Sequence, residues 1–364
     1  MQAALDRLEV RGFKSIRDMQ IELKPINVLI GANGAGKTNF ISIFKLVNAI
    51  VDQKLQEYVA RSGGASSLLY FGRKVTEEIF LRLEFGENLY DVTLIPDEND
   101  AFFFASENAY VWNKLKYERP FKLSLGIGHR ESQLKSKSSE YVAKYVRDKI
   151  NSWRLYHFHD TSSSAKVKST GAINDNRSLA SDAGNLAAYL MLLRERFSSS
   201  YQQIVEIVRL AAPFFDDFVL RPSPFDESRI RLEWAEKSSE SVFGANDLSD
   251  GTLRFMCLAS ALLQPVPPAT ILIDEPELGL HPYAITLLAS LIRVASRRMQ
   301  VIVSTQSVPL VNQFSTEDLI VVDREEGQST FRRLANDHLT SWLDDYGLGD
   351  LWEKNVIGGR PSNA

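Results

Sequence analysis

The sequence predicts an α/β fold: a mixed, β-rich lobe, a parallel-sheet lobe of the P-loop NTPase type, and a short helical insertion. Three observations predict it. Gly31-Ala32-Asn33-Gly34-Ala35-Gly36-Lys37-Thr38 has the spacing G-x-x-x-x-G-K-[ST] of a phosphate-cradling loop. Its flanks suit that loop, with Ile26–Ile30 an apolar run fit for a buried strand and Phe40–Val47 apolar at helical spacing. A second apolar run, Ile271–Ile273, ends in the paired acids Asp274 and Glu275.

Taken in order, the chain opens with strand-like alternation at Leu8, Val10, Ile16, Ile21 and Leu23, punctuated by Gly12 and Asp18, a hairpin leading into the P-loop strand. After the loop's helix, residues 60–67 are a Gly/Ser-rich connection. Residues 78–85 and 89–95 pair as strands across Gly86-Glu87-Asn88, and shorter strand patterns follow at 101–105 and 110–115. Tyr141, Tyr145 and Ile150 among lysines and arginines predict a helix with a basic face. Trp153–Phe158 returns to a strand, and 161–169 is a polar loop. The longest helical stretch is 182–212, with Asp182 as its cap, a break at Ser198-Ser199-Ser200 and Pro213 as its end. Strands resume from Val219. Then come a helix over Leu253–Leu263, the acid-tipped strand 270–275, a helix over Ala284–Ala295, strands at 300–305 and 319–323, and a polar tail from Glu325.

Composition narrows the function classes. The 364 residues carry a formal net charge of −4, so no global basic field advertises nucleic acid. The single cysteine, Cys257, excludes an intrachain disulfide framework and suits a reducing cytoplasm. No apolar run approaches the roughly 20 residues that span a bilayer, and the N-terminal residues lack a signal-peptide core. The expectation is a cytoplasmic protein with no membrane contact. A local basic stretch from Arg130 to Lys168, nine Lys/Arg against four Asp/Glu, is the best nucleic-acid candidate.

The chemistry follows from residue types. Asn33, Gly34, Ala35, Gly36, Lys37, Thr38 and Asn39 are the expected ATP-binding residues. Backbone N–H groups and the helix N-terminus face the phosphates, Lys37 reaches the β- and γ-phosphates, and Thr38 offers its hydroxyl to Mg²⁺. Asp274 is the second Mg²⁺ ligand. Glu275, one residue on, is the expected general base for water. Leu248-Ser249-Asp250-Gly251-Thr252 opens a helix and reads as a further anion site, with Ser249 and Gly251 as its ligands. His157-Phe158-His159-Asp160 leaves three readings: a plain strand end, a role for His159 or Asp160 beside the nucleotide's metal and water, or a separate metal held by the two histidines.

The order of these segments, then Pro276-Glu277-Leu278-Gly279-Leu280-His281-Pro282 and Ser304-Thr305-Gln306-Ser307, resembles the ABC-type ATPases of the SMC/RecF/RecN superfamily. Gly12-Phe13-Lys14-Ser15-Ile16 before the P-loop strand adds to the likeness. It is similar, more narrowly, to the short bacterial AAA-family ATPases of RecF-like or OLD-like type, many of them found in anti-phage defence. The resemblance implies an ABC-ATPase head over residues 1–364: a P-loop and β-rich lobe (1–178), a helical insertion (179–218), a lobe carrying the signature and the acidic strand (219–325), and a C-terminal tail (326–364). It implies an ATP- and Mg²⁺-dependent homodimer in which Ser249 and Gly251 meet the γ-phosphate held by the other copy. Glu277, Gly279 and Leu280 then lie on the loop coupling the two sites, with His281 at its end, structural or at the interface. Gln306 stands where the family often has a catalytic histidine; it can hydrogen-bond a γ-phosphate but cannot titrate. A separate effector, such as a nuclease, is the implied partner, since residues after Glu325 lack the length and grouped acids of a nuclease domain. Direct DNA binding, as in a RecF-like repair ATPase, is the alternative.

Overall fold

The computed structural model describes residues 4–113, 115–334 and 346–360, and within it the chain divides into two compact units. One combines Met1–Trp153 with Ser315–Ala364, and the other is Arg154–Phe314. No helix among the described residues is long and apolar enough to cross a membrane.

The first unit carries a six-stranded antiparallel sheet. Its order is Ile16–Glu22, Arg7–Phe13, Ile79–Phe85, Asn88–Pro96, Phe102–Val111, Phe121–Gly126. The opening hairpin turns at Lys14-Ser15, with Phe13 opposite Ile16. Asp18 lies inside the second strand opposite Arg11, where the sequence reading made it punctuation. The expected strands at 101–105 and 110–115 are one strand, Phe102–Val111, whose register against its neighbour shifts by one residue opposite Thr93/Leu94. The strand Ile26–Ile30 pairs in parallel with Leu319–Glu325, which turns back antiparallel along Gln328–Arg333. The helix Lys37–Val51 follows the loop and buries Phe40, Ile43, Phe44 and Val47. Phe40 meets Phe331 at 5.6 Å between ring centroids and Phe44 meets Trp153 at 5.0 Å, so aromatic packing fixes the helix over this core.

In the second unit, Arg154–Tyr156, Thr270–Asp274 and Gln300–Thr305 run parallel, with Thr270–Asp274 in the middle. Parallel strands covered on both faces read as near-continuous apolar runs, which is why Thr270–Asp274 and Gln300–Thr305 were visible in the sequence. The helix Asp250–Leu262 is buried along almost its whole length from Leu253 and forms the unit's centre. Around it pack Ser198–Ala211 and Pro282–Ser296. The helical stretch over 182–212 is two helices as expected, Leu186–Arg196 and Ser198–Ala211, but the break falls at Phe197, and Ser198-Ser199-Ser200 opens the second helix. Asn185, not Asp182, takes the cap position, while Asp182 pairs with Lys166 at 2.8 Å. Small antiparallel sheets follow from Phe215 to Gly244. The expected polar tail contains more order than its composition suggested: the strand Gln328–Arg333 and the helix Leu348–Glu353. Residues 335–345 and 361–364 of that tail lie outside the described residues.

Candidate functional site

Gly36 sits at the N-cap position of Lys37–Val51, and no side chain caps that helix. The first-turn N–H groups are therefore left for an anion, with the helix dipole behind them. Lys37 is buried and folds its Nζ back onto the carbonyl oxygens of Gly31 (2.5 Å) and Ala32 (3.0 Å), while Thr38 is exposed. The loop is held from below by a directional hydrogen-bond chain. Asn39 Nδ2 donates to Ser15 Oγ (2.6 Å), Ser15 and Ser329 share a 2.6 Å bond, and Ser329 Oγ donates to the carbonyl of Ala35 (2.5 Å). Because Ser329 gives its proton to Ala35, Ser15 is the donor to Ser329. A Cβ on Gly36 would fall 2.2 Å from Ser329 Oγ, and its φ of 127° is a region that L-residues rarely adopt. Beside the loop tip lies a cavity of about 400 Å³, lined by Ala32, Asn33, Gly34, Ala35, Val322, Asp323, Arg324, Glu326, Gly327 and Arg360. Arg324 donates to the carbonyl of Gly34 at 3.2 Å. Uncapped N–H donors, a buried ammonium and two guanidinium groups fit the phosphates of a nucleotide.

The second unit holds the acids. Asp274 ends its strand half-buried, and Glu275 turns out of it with φ of +41°, which costs a non-glycine residue about 1–3 kcal/mol. The Glu275 N–H is tied to the carbonyl of Ser304 at 2.8 Å. The strained turn presents its carboxylate to Gln306, whose Nε2 donates to Glu275 Oε1 at 2.5 Å. Glu277 is buried and accepts at Oε1 from Thr305 Oγ1 (2.5 Å) and the N–H of Gln306 (3.2 Å). Burial pushes its carboxyl above the usual range despite those donors.

The signature segment joins this cluster through Arg254. Its Nε donates to the carbonyl of Phe158 (2.8 Å), and its two terminal nitrogens donate to the carbonyls of Leu278 and His159, the latter at 3.1 Å. Burial lowers its pKa from the usual guanidinium value, with the acids around it opposing that shift. Ser249 is exposed and caps Asp250–Leu262, accepting from the N–H of Thr252 at 3.2 Å. A Cβ on Gly251 would lie 2.2 Å from the carbonyl oxygen of Gly279, so this helix start presses on the loop that carries Glu277, Leu278 and Gly279. His281 caps the next helix through Nδ1, accepting from the N–H of Tyr283 at 3.3 Å. His157, His159 and Asp274 place one ligand atom each within 4.8 Å of one another. Asp160 is not in that group; its carboxylate accepts from the N–H (3.1 Å) and hydroxyl (2.6 Å) of Ser162.

Residues 26–312 match the family described as "AAA domain, putative AbiEii toxin, Type IV TA system". The chain belongs to this AAA_21 family. The fold of this AAA_21 protein is that of an SMC head. An SMC head bound to the C-winged helix domain of ScpA aligns with a TM-score of 0.56 and 18% identity, covering 92% of this chain and 99% of that one. An SMC head with an extended coiled coil, bound to the C-terminal domain of ScpA from Pyrococcus furiosus, gives 0.56 and 17%, covering 94% and 99%. No curated protein sequence matches the chain.

Sequence reasoning on this AAA_21 chain missed Ser15 and Ser329 under the phosphate loop, Arg254 in the signature helix, and Arg324 and Arg360 beside the loop tip. For Ser15 a signal existed, since the Gly12–Ile16 segment stood out without a mechanism. For Ser329 and Arg360 none did; only the fold returns them to a loop about 300 residues earlier in the chain.

Proposed function

We propose that the protein is a cytoplasmic Mg²⁺-dependent ATPase whose two copies close on ATP, and that this cycle gates a separate effector protein, such as a nuclease, in anti-phage defence. The observation that carries the ATPase reading is the Glu275–Gln306 pair: a carboxylate held out on a strained turn, aimed by an amide at 2.5 Å, directly after Asp274. Such an arrangement suits a base that takes a proton from an attacking water. The uncapped loop helix and Lys37 bind the phosphates, and Thr38 and Asp274 hold Mg²⁺. The metal, when bound, neutralises phosphate charge. Ser249 and Gly251 serve the nucleotide of the partner copy, a role supported by the exposure of Ser249 at a helix start.

Gating is supported by the bonds that link Gln306 to the helix Asp250–Leu262 through Glu277 and Leu278. Gln306 and Thr305 hold Glu277, and Arg254 of that helix holds Leu278 in the same loop. A γ-phosphate that pulls Gln306 away from Glu275 disturbs that chain of bonds.

Glu275→Gln should retain ATP binding, lower hydrolysis by ~100-fold or more, and accumulate an ATP-dependent dimer on size exclusion. Hydrolysis at the wild-type rate removes the base assignment. The RecF-like alternative predicts ATPase stimulated by duplex DNA with a steep salt dependence. The basic stretch gives it little support, since Arg130 pairs with Asp97 (2.5 Å), Arg147 with Asp148 (2.8 Å), Lys166 with Asp182 (2.8 Å), and Lys168 is buried 3.8 Å from Asp250.

A further inference from the structure

We infer that His157, His159 and Asp274 form a binding site for a divalent first-row transition ion, filled without nucleotide. The inference begins with register. Tyr156 lies opposite Ile273 in the parallel pairing of their two strands, so His157 and Asp274 are the next residues out, side by side at the carboxyl ends. Ligands gather at that edge of a parallel sheet. His159 follows two residues later, past the buried Phe158, and its ring centroid is 6.3 Å from that of His157. The ligand atoms of the three side chains fall within 4.8 Å of one another. Donors about 2.1 Å from a single ion stand roughly 3.4 Å apart in a tetrahedron, so side-chain rotations alone close the remaining gap.

The backbone carrying the histidines is held in place. The N–H of His157 donates to the carbonyl of Ser181 at 2.9 Å, and Arg254 donates to the carbonyls of Phe158 and His159. The backbone from His157 to His159 is therefore held at each residue, the kind of outer support that metal ligands need.

The donor set selects the ion. Mg²⁺ prefers oxygen ligands and keeps its waters. Two imidazoles and one carboxylate suit Mn²⁺, Fe²⁺, Co²⁺ or Zn²⁺, and leave positions for water or a phosphate oxygen. The site shares Asp274 with the ATPase reading but does not rest on it, because all three ligands belong to the second unit and no nucleotide is required.

The test uses the full chain, stripped with chelator and free of nucleotide, titrated with Co²⁺ by absorption and with Zn²⁺ by calorimetry. One ion per chain is expected, with visible Co²⁺ bands of nitrogen and oxygen ligation and no displacement by a large excess of Mg²⁺. His159→Ala removes an exposed side chain and should leave melting unchanged while weakening binding by ~100-fold or more. Asp274→Asn should do the same. Lys37→Ala, which removes nucleotide binding, should bind the ion as the wild type does, so the two readings fail separately. Absence of binding by the wild type, displacement by equimolar Mg²⁺, or wild-type affinity in His159→Ala overturns the inference.

Discussion

At the scale of single residues, close contact rather than charge decides the sharpest constraint. Gly251 and Gly279 meet backbone to backbone, and a methyl group on Gly251 would sit 2.2 Å from a carbonyl oxygen that has no flexible side chain to yield. The helix bearing Gly251 is buried without a break from Leu253 to Leu262, so its body holds its start in place. Gly251→Ala should therefore destabilise the protein by about 1–3 kcal/mol, the usual cost of overpacking, seen as a lower urea midpoint with an unchanged slope. A normal midpoint accompanied by lost ATPase activity would instead place the constraint at the partner's phosphate. Arg254, three residues on, complements this contact. It spends its donors on three carbonyls, and lysine could not reproduce that fork.

At the scale of elements, the phosphate loop depends on a hairpin and a strand that no motif search includes. The chain Asn39–Ser15–Ser329–Ala35 runs from the loop helix through the opening hairpin to Gln328–Arg333 and back to the loop. Ser15→Ala breaks its middle, leaving the Asn39 amide and the Ser329 hydroxyl each short of a partner. The expected cost is about 1–2 kcal/mol in stability, with weaker binding of a fluorescent ATP analogue. Equal affinity for wild type and variant would show that the loop keeps its shape unaided. Elements buried on both faces were legible in the sequence: Ile26–Ile30, Thr270–Asp274 and Gln300–Thr305 are apolar runs between clear breaks. Phe121–Gly126 and Gln328–Arg333 were not. Both are edge strands: Phe121–Gly126 alternates apolar and polar residues but lies largely exposed, with only Leu125 buried, while Gln328–Arg333 carries one large apolar residue, Phe331, and no alternation. The site divides the same way. Lys37, Asp274 and Glu275 announce themselves by spacing, while Ser329 and the pairing of His157 with Asp274 follow from register, which spacing does not encode.

At the scale of the whole molecule, the chain leaves its first unit at Trp153 and returns at Ser315, so both ends of the sequence build the phosphate loop's surroundings. The C-terminal segment is tied to the preceding strands by two bonds and braced internally by a third. Arg332 donates to the carbonyl of Ile357 (2.5 Å), the N–H of Gly359 donates to Asp323 (2.6 Å), and Trp352 Nε1 donates to the carbonyl of Gly359 (3.2 Å). Arg360 follows directly and lines the cavity at the loop tip, with Arg324 on the loop's own carbonyl. A cation delivered this way adds its charge to those of Lys37 and Arg324 at a site whose remaining donors are neutral N–H groups. Arg360→Ala should weaken ATP binding roughly tenfold, the worth of one charge-assisted hydrogen bond, and flatten the salt dependence of binding while leaving the melting temperature unchanged. Trp352→Ala, which loosens the anchor instead of the cation, should lower both affinity and melting temperature. Titration of a fluorescent nucleotide at two ionic strengths separates these outcomes. If Arg360→Ala binds as tightly as wild type at low salt, the nucleotide does not extend into this cavity, and the tail serves only to cover the strand Leu319–Glu325.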